Sequence, residues 1–300
     1  MWSQDRDYAD LMRELWGSPS RWNVRKSYVD IADKLGVDEE TVRNKLKRLR
    51  EGGFLLGWRL FPNPQLMGRD SVFLYMETGD AARMDAMLPR LIKGEGVVTI
   101  SRLFGNRLLV MVLDDKNHET VKGLDKMGFG EIKQLAPGIR LPESQFKLTS
   151  LDWRIIARML RNAERPVTEV GCEIGVSART VKNRLNRMMD KSAIFVAPLT
   201  DVRKSIGISY QLIIEGDDGK MAAIDRMVTE KVGNVVFRAF DSGNGLIFGF
   251  TGKNLSQGTE LERWIRNQPH VRSARLNIVE EVVYAFDWLE REAVAHSIER

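Results

Sequence analysis

The sequence predicts an α+β chain built as a tandem repeat, with two winged helix-turn-helix modules each followed by a ferredoxin-like βαββαβ domain. Three observations predict it. The chain repeats itself at a fixed offset, the repeated stretch has the pattern of two short amphipathic helices joined at a glycine, and each copy runs into alternating apolar segments. The implied boundaries are 1–68 and 147–206 for the helix-turn-helix modules, 69–141 and 207–286 for the ferredoxin-like domains, and 287–300 for a short exposed tail helix.

Residues 31–68 align with 170–207 without a gap, the offset being 170 − 31 = 207 − 68 = 139. Gly36-Val37 matches Gly175-Val176, Thr41-Val42 matches Thr180-Val181, and Asn44, Leu46 and Arg48 match Asn183, Leu185 and Arg187. Each glycine ends one helix, because it takes a positive φ without strain. Asp38 and Ser177 then stand as N-caps, their oxygens placed to accept from the free amides of the next helix. In that helix Val42, Leu46 and Leu49, and in the other copy Val181, Leu185 and Met188, recur at the spacing of one buried face. Upstream helices at 8–16 and 153–160 complete the modules, the second with Ile155, Ile156 and Met159 as its inward stripe. Downstream, 54–58 and 193–197 read as wing strands.

The pattern then changes period. A strand at 71–77, a helix at 81–93, a hairpin of 97–104 and 107–113, a helix at 116–127 and a strand at 129–136 give βαββαβ. In the second half Ile208, Tyr210, Leu212 and Ile214 alternate. A helix at 219–232, a hairpin turning at Gly243-Asn244-Gly245, a helix around Leu261, Trp264 and Ile265, and a strand carrying Ala274, Leu276, Ile278, Val282 and Tyr284 follow. Residues 108–113 are apolar on both faces, and 246–248 nearly so, whereas a sheet with one wet face alternates. Helices cover only one face. Packing of the two sheets against each other within the chain, as a pseudo-dimer, covers the other; a β-sheet contact with another molecule is the competing explanation.

The motif Ile174-Gly175-Val176-Ser177-x-x-Thr180-Val181-x-x-Arg184-Leu185 and the pair Leu151-Asp152 resemble the helix-turn-helix signature of the Lrp/AsnC (feast/famine) regulators. The second copy is the closer match, and the likeness extends over nearly the whole chain. It implies sequence-specific binding of double-stranded DNA in the cytoplasm, paired sensing domains, and room for a small-molecule effector and for homo-oligomers. In that family the effector lies near the turn between the second and third sensing-domain strands, which places Gly105, Asn106, Gly243 and Asn244 as effector candidates. The acidic group common at that turn is missing from the first copy and displaced in the second, which argues against a standard amino-acid effector. Siroheme decarboxylases resemble the same family and rely on histidine and arginine in the sensing-domain cleft. A sensor or scaffold with vestigial DNA-binding modules is a third reading.

The DNA-facing candidates are Thr41, Arg43, Asn44, Lys47 and Arg48 in the first copy, and Ser177, Arg179, Thr180, Lys182, Asn183, Asn186 and Arg187 in the second. Asparagine pairs bidentately with adenine and arginine with guanine, while flanking cations hold phosphates. The first copy opens its recognition helix with Asp38-Glu39-Glu40, where the second has Ser177-Ala178-Arg179. Carboxylates suit a helix N-terminus but repel phosphate, so the two modules are expected to grip DNA unequally. Glu40 could accept from cytosine, the simpler role being to stabilise the helix start.

The remaining inventory points away from catalysis, metals and membranes. Lys and Arg number 46 against 41 Asp and Glu, a net +5 that decides little by itself. The single cysteine, Cys172, excludes an intrachain disulfide and is expected in the core. His118, His270 and His296 are scattered and read as surface residues. No apolar run is long enough for a membrane span. The stretch Gly249-Phe250-Thr251-Gly252-Lys253 lacks phosphate-loop spacing. No enzyme activity, metal or cofactor is therefore expected.

Overall fold

The computed structural model describes Leu11 and residues 28–128, 131–137, 141–205, 207–232, 235–240 and 245–298. The helix expected at 8–16 and the turn at Gly243-Asn244 lie outside the described residues, apart from the buried Leu11.

The first helix-turn-helix comprises α1 (Tyr28–Leu35) and α2 (Glu39–Glu51), and the second α5 (Ser150–Met159), α6 (Val167–Ile174) and α7 (Ala178–Asp190). Between them run β1 (Leu55–Pro62), β2 (Arg69–Glu77), α3 (Ala81–Ile92), β3 (Val97–Leu103), β4 (Arg107–Asp115), α4 (Glu119–Lys126) and β5 (Glu131–Pro137). After α7 come β6 (Ile194–Thr200), β7 (Ile208–Gly216), α8 (Met221–Val232), β8 (Val235–Phe240), β9 (Gly245–Gly252), α9 (Leu255–Arg266), β10 (Val271–Tyr284) and α10 (Asp287–Ile298).

The strands form an eight-stranded sheet in the order β5-β2-β4-β3-β10-β7-β9-β8. Each half is βαββαβ in sequence, and each places its fourth strand beside its first. One long strand joins the halves: β10 pairs through Val271–Ile278 with β7, then through Val279–Tyr284 with β3, with a register shift between Val279 and Glu281. The halves fold over so that β5 and β8, at opposite ends of the order, lie against each other.

Alternation along the strands explains the dry faces. Val72, Leu74, Met76, Leu108, Val110 and Val112 point to α3 and α4, where Met84, Met87, Leu91 and Leu124 cover them. The alternate residues Phe73, Tyr75, Leu109 and Met111 point the other way and share a core with Ile213, Ile247 and Val279 of the second half. Gln211 Nε2 donates to Ser101 Oγ across this interface at 3.0 Å.

Three expectations fail. The segments read as wings are strands, yet they do not fold back on their own modules: β1 pairs antiparallel with β6 in a two-stranded ribbon. Its register puts Trp58 opposite Pro198 and Arg59 opposite Ala197. Adding or subtracting 139 converts one pair into the other, since 58 + 139 = 197 and 198 − 139 = 59. The free edge of β1 is tied to the second module, because Leu60 N donates to Leu160 O and Ala163 N to Trp58 O. Asn63, fully buried, donates through Nδ2 to the carbonyls of Pro142 and Ser192.

The second correction concerns the tail. α10 is not an exposed appendage: Trp288, Leu289 and Ala293 are buried, and the helix packs on α5. His296 stacks on Trp153 at 4.7 Å, the Arg69 guanidinium lies over the Trp288 ring at 4.8 Å, and Arg161 pairs with Asp287 and Glu290. Cys172 also departs from expectation, being exposed on α6. Among the described residues no helix is long and apolar enough to cross a membrane.

Candidate nucleic-acid interface

Local chemistry fixes both recognition helices. Gly36 and Gly175 turn the chain at φ of 64° and 72°, conformations that cost other residues strain. Thr41 N donates to Asp38 Oδ1 at 2.6 Å, and Thr180 N to Ser177 Oγ at 3.1 Å, so each cap satisfies one orphan amide. Val42, Leu46 and Leu49 are buried in α2, as are Val181, Leu185 and Met188 in α7. The second module carries an additional lock. Asp152, wholly buried, accepts from the amide and hydroxyl of Thr149 in a capping box and faces Arg184 Nη1 at 3.3 Å. Arg184 is thereby a scaffold residue.

With those faces buried, the expected DNA-facing side chains lie outward. Arg43, Asn44, Lys47 and Arg48 are exposed on α2, and Arg179, Lys182, Asn183, Asn186 and Arg187 on α7, with Thr41 and Thr180 half-buried beside their caps and Ser177 exposed. The two faces differ in how far they are committed. On α2, Arg43 pairs with Glu39 and lies over the Tyr28 ring at 4.8 Å, and Lys47 stands 3.8 Å from Glu51. On α7, Arg179, Lys182, Asn183 and Asn186 have no side-chain partner among the described residues, and Arg187 rests over Phe146 at 5.3 Å.

The caps differ in acid. Hydrogen bonds from the Thr41 amide and then its hydroxyl hold the Asp38 carboxyl below its ordinary value of 3.8. A carboxyl depressed in the folded state contributes above its unfolded pKa, and the contribution is lost as pH falls through the folded value. Ser177 has no such dependence. Lowering the pH through and below about 4 is therefore expected to raise amide exchange at the first turn of α2 before that of α7; simultaneous fraying of both starts would contradict this.

Away from the helices, two of the expected effector residues, Gly105 and Asn106, lie among the described residues. Gly105 and Asn106 form the β3–β4 turn at φ of 86° and 58°, and Asn106 O accepts from Thr78 N and Oγ1. Neither lines a cavity that the fold does form, a feature that sequence reading missed. This cavity, of about 190 Å³, lies between the β1–β6 ribbon and the facing sheets. Phe61, Phe73, Met111 and Phe250 contribute to its walls, with Arg59 and Gln211 as polar groups. Arg59 is 8% exposed, and Nη1 and Nη2 reach Val98 O and Thr99 Oγ1 only at 3.3 and 3.2 Å. Among the described residues its Nε has no hydrogen-bond partner, and neither has Gln211 Oε1. Burial pulls the guanidinium pKa down to about 10, with Tyr284 a smaller opposing influence.

The histidines stand apart from this cavity. His118 meets Asp114 at 2.7 Å, His270 meets Asp217 at 3.2 Å, and His296 sits against Trp153. Among the described residues no group of three metal-binding side chains occurs.

Residues 148–189 match the model of the AsnC-type helix-turn-helix domain. The HTH-type transcriptional regulator Ptr1 of Methanocaldococcus jannaschii is 30% identical over 113 residues, 37% of this chain and 73% of that protein. The HTH-type transcriptional regulator FL11 of Pyrococcus furiosus is 25% identical over 100 residues, 33% of this chain and 66% of that one. In fold, 98% of the chain is similar to the whole of the siroheme decarboxylase NirDL, solved in co-complex with an iron-uroporphyrin III analogue, at a TM-score of 0.59 and 14% identity. That match corrects the expectation that enzymes lie outside this chain's reach, because the architecture it shares almost end to end is that of an enzyme. The sequence relatives are regulators, and with the matched helix-turn-helix they decide the family: the chain belongs to the Lrp/AsnC family of DNA-binding transcription regulators.

Proposed function

We propose that the protein is a sequence-specific regulator of transcription formed by internal duplication, so that a single chain supplies two non-identical arms of a pseudo-dimer. The paired ferredoxin-like domains would serve assembly and effector sensing. The outward face of α7 carries this reading. A basic helix with asparagines at its centre, fixed by a cap on one side and a buried face on the other, suits the major groove. Duplication is supported by the gapless offset of 139 and by a β1–β6 register that the same offset maps onto itself. The domain limits of 1–68, 69–141, 147–206, 207–286 and 287–300 belong to this proposal, with the last segment docked on the second module.

The test is selection of bound duplexes from a random pool at two salt concentrations, repeated with Asn183→Ala plus Arg187→Ala. Enrichment of a motif that the double variant no longer selects, with affinity falling as salt rises, is the expected result. Retention of the same motif by the variant would refute the assignment of α7, and absence of any binding at low salt would refute the regulator.

The chain-long likeness to NirDL supports a second reading, a tetrapyrrole-binding enzyme with its site in the inter-sheet cavity. A uroporphyrin carries several carboxylates, whereas the described lining offers one buried cation and no histidine. Titration with an iron-uroporphyrin separates the two readings, since a saturable shift of its absorbance favours the enzyme.

A further inference from the structure

Arg59 is a buried cation facing a cavity, with its counter-charge missing. Among the described residues no carboxylate pairs with it, its two hydrogen bonds go to neutral oxygens at long distances, and Nε is unsatisfied. A charge taken out of water is retained in a fold at a high desolvation cost unless something compensates it. The rings of Phe61 and Tyr284, 5.5 and 5.1 Å from the guanidinium, offer only partial compensation. The rest of the cavity is largely apolar, and at about 190 Å³ it exceeds the cavities of about 150 Å³ known to take one benzene.

We propose that this cavity is an effector site for a small apolar monocarboxylate without an ammonium group, its carboxylate on Arg59 and its apolar part among Phe61, Phe73, Met111 and Phe250. The effector role rests on the regulator reading. The absence of an ammonium group follows from the lining: no Asp or Glu among the described wall residues could receive one. Binding of one ligand per chain follows from asymmetry, because the offset of 139 carries Arg59 onto Pro198, which lines the cavity without charge. Gln211 Oε1, buried and without a donor, suits a ligand hydroxyl. The site also straddles the parts that must communicate. Arg59 and Phe61 lie on β1, Ala197 and Thr200 on β6, and these strands leave the recognition helices through residues 52–54 and 191–193. A molecule wedged between ribbon and sheets therefore bears on both reading helices.

Calorimetric titration of the full chain with 3-phenylpropionate, 3-phenylpropanol and phenylalanine tests the proposal. The acid should bind once per chain, and the alcohol and the amino acid at least about tenfold more weakly, the scale of a lost charge-assisted hydrogen bond. Arg59→Met should weaken the acid by a similar factor, keep the alcohol at its wild-type affinity or better, and melt no lower than the unliganded wild type. Met111→Trp, which fills the apolar end and leaves the charge alone, should remove binding of both acid and alcohol. No binding of the acid, equal binding of phenylalanine, or undiminished binding by Arg59→Met would each overturn the site. Acid should also change affinity for a selected operator in the wild type and not in Arg59→Met; acid binding with unchanged DNA affinity overturns the effector role alone. Loss of DNA binding by the unliganded wild type would instead remove the regulator reading and leave the carboxylate site standing.

Discussion

Asn183→Ala is expected to weaken binding to a selected operator by about 5- to 150-fold, the range for losing one bidentate base contact of about 1–3 kcal/mol, and Asn44→Ala by clearly less. The difference comes from the surroundings of each asparagine. Asn183 sits among Arg179, Lys182 and Asn186, none engaged by another side chain among the described residues, so all are available to hold the helix in the groove. Beside Asn44, Arg43 is already paired with Glu39 and stacked on Tyr28, and Lys47 faces Glu51. Glu40 adds a carboxylate in the first turn of α2, where it would repel an approaching phosphate. Anisotropy titrations at fixed salt measure the two losses. Lys182→Ala should in addition flatten the plot of log affinity against log salt by about one unit, as removal of one phosphate contact does. Equal losses for the two asparagines would show that the acidic start of α2 has no bearing on DNA.

Trp288→Ala should destabilise the protein by about 3–5 kcal/mol, as truncation of a large buried aromatic does elsewhere. The ring is 3% exposed and is covered by the Arg69 guanidinium, while neighbouring Leu289 and Ala293 are buried in the same core as Trp153. Urea unfolding followed by far-UV circular dichroism reads the change. A tail lying on the surface would give a change within about 0.5 kcal/mol, so the measurement also decides between the two pictures of α10.

What could be read in the sequence was whatever is determined locally. Caps at Asp38 and Ser177, turns at Gly36 and Gly175, and apolar faces spaced three and four apart involve residues within one or two turns of each other. The dry faces of β4 announced a second layer, because residues 108–113 could not all be covered by helices. Partner choice was not legible. Nothing within 54–58 says that its strand pairs with one lying 139 residues on, because a short apolar strand carries no mark of which edge it will join. The tail misled for a related reason. Its buried apolar residues, Trp288, Leu289 and Ala293, are interspersed with charges that look solvent-directed until Arg161 is seen to receive Asp287 and Glu290. Arg59 did leave a trace, as a lone charge in the otherwise uncharged run Leu55–Pro62, and a charge in such a strand is reason to look for a cavity.

The modules that carry α2 and α7 are joined by one continuous chain and, through the β1–β6 ribbon, by hydrogen bonds as well. A regulator assembled from separate identical subunits loses grip on its site when diluted, and it cannot distinguish the site from its own reversal. With both arms on one chain, as proposed, they would arrive together at any concentration, and because α2 and α7 are unlike, the molecule would have a front and a back. On the proposed reading it lies along its operator in one direction only, and so can mark which side of a promoter it faces.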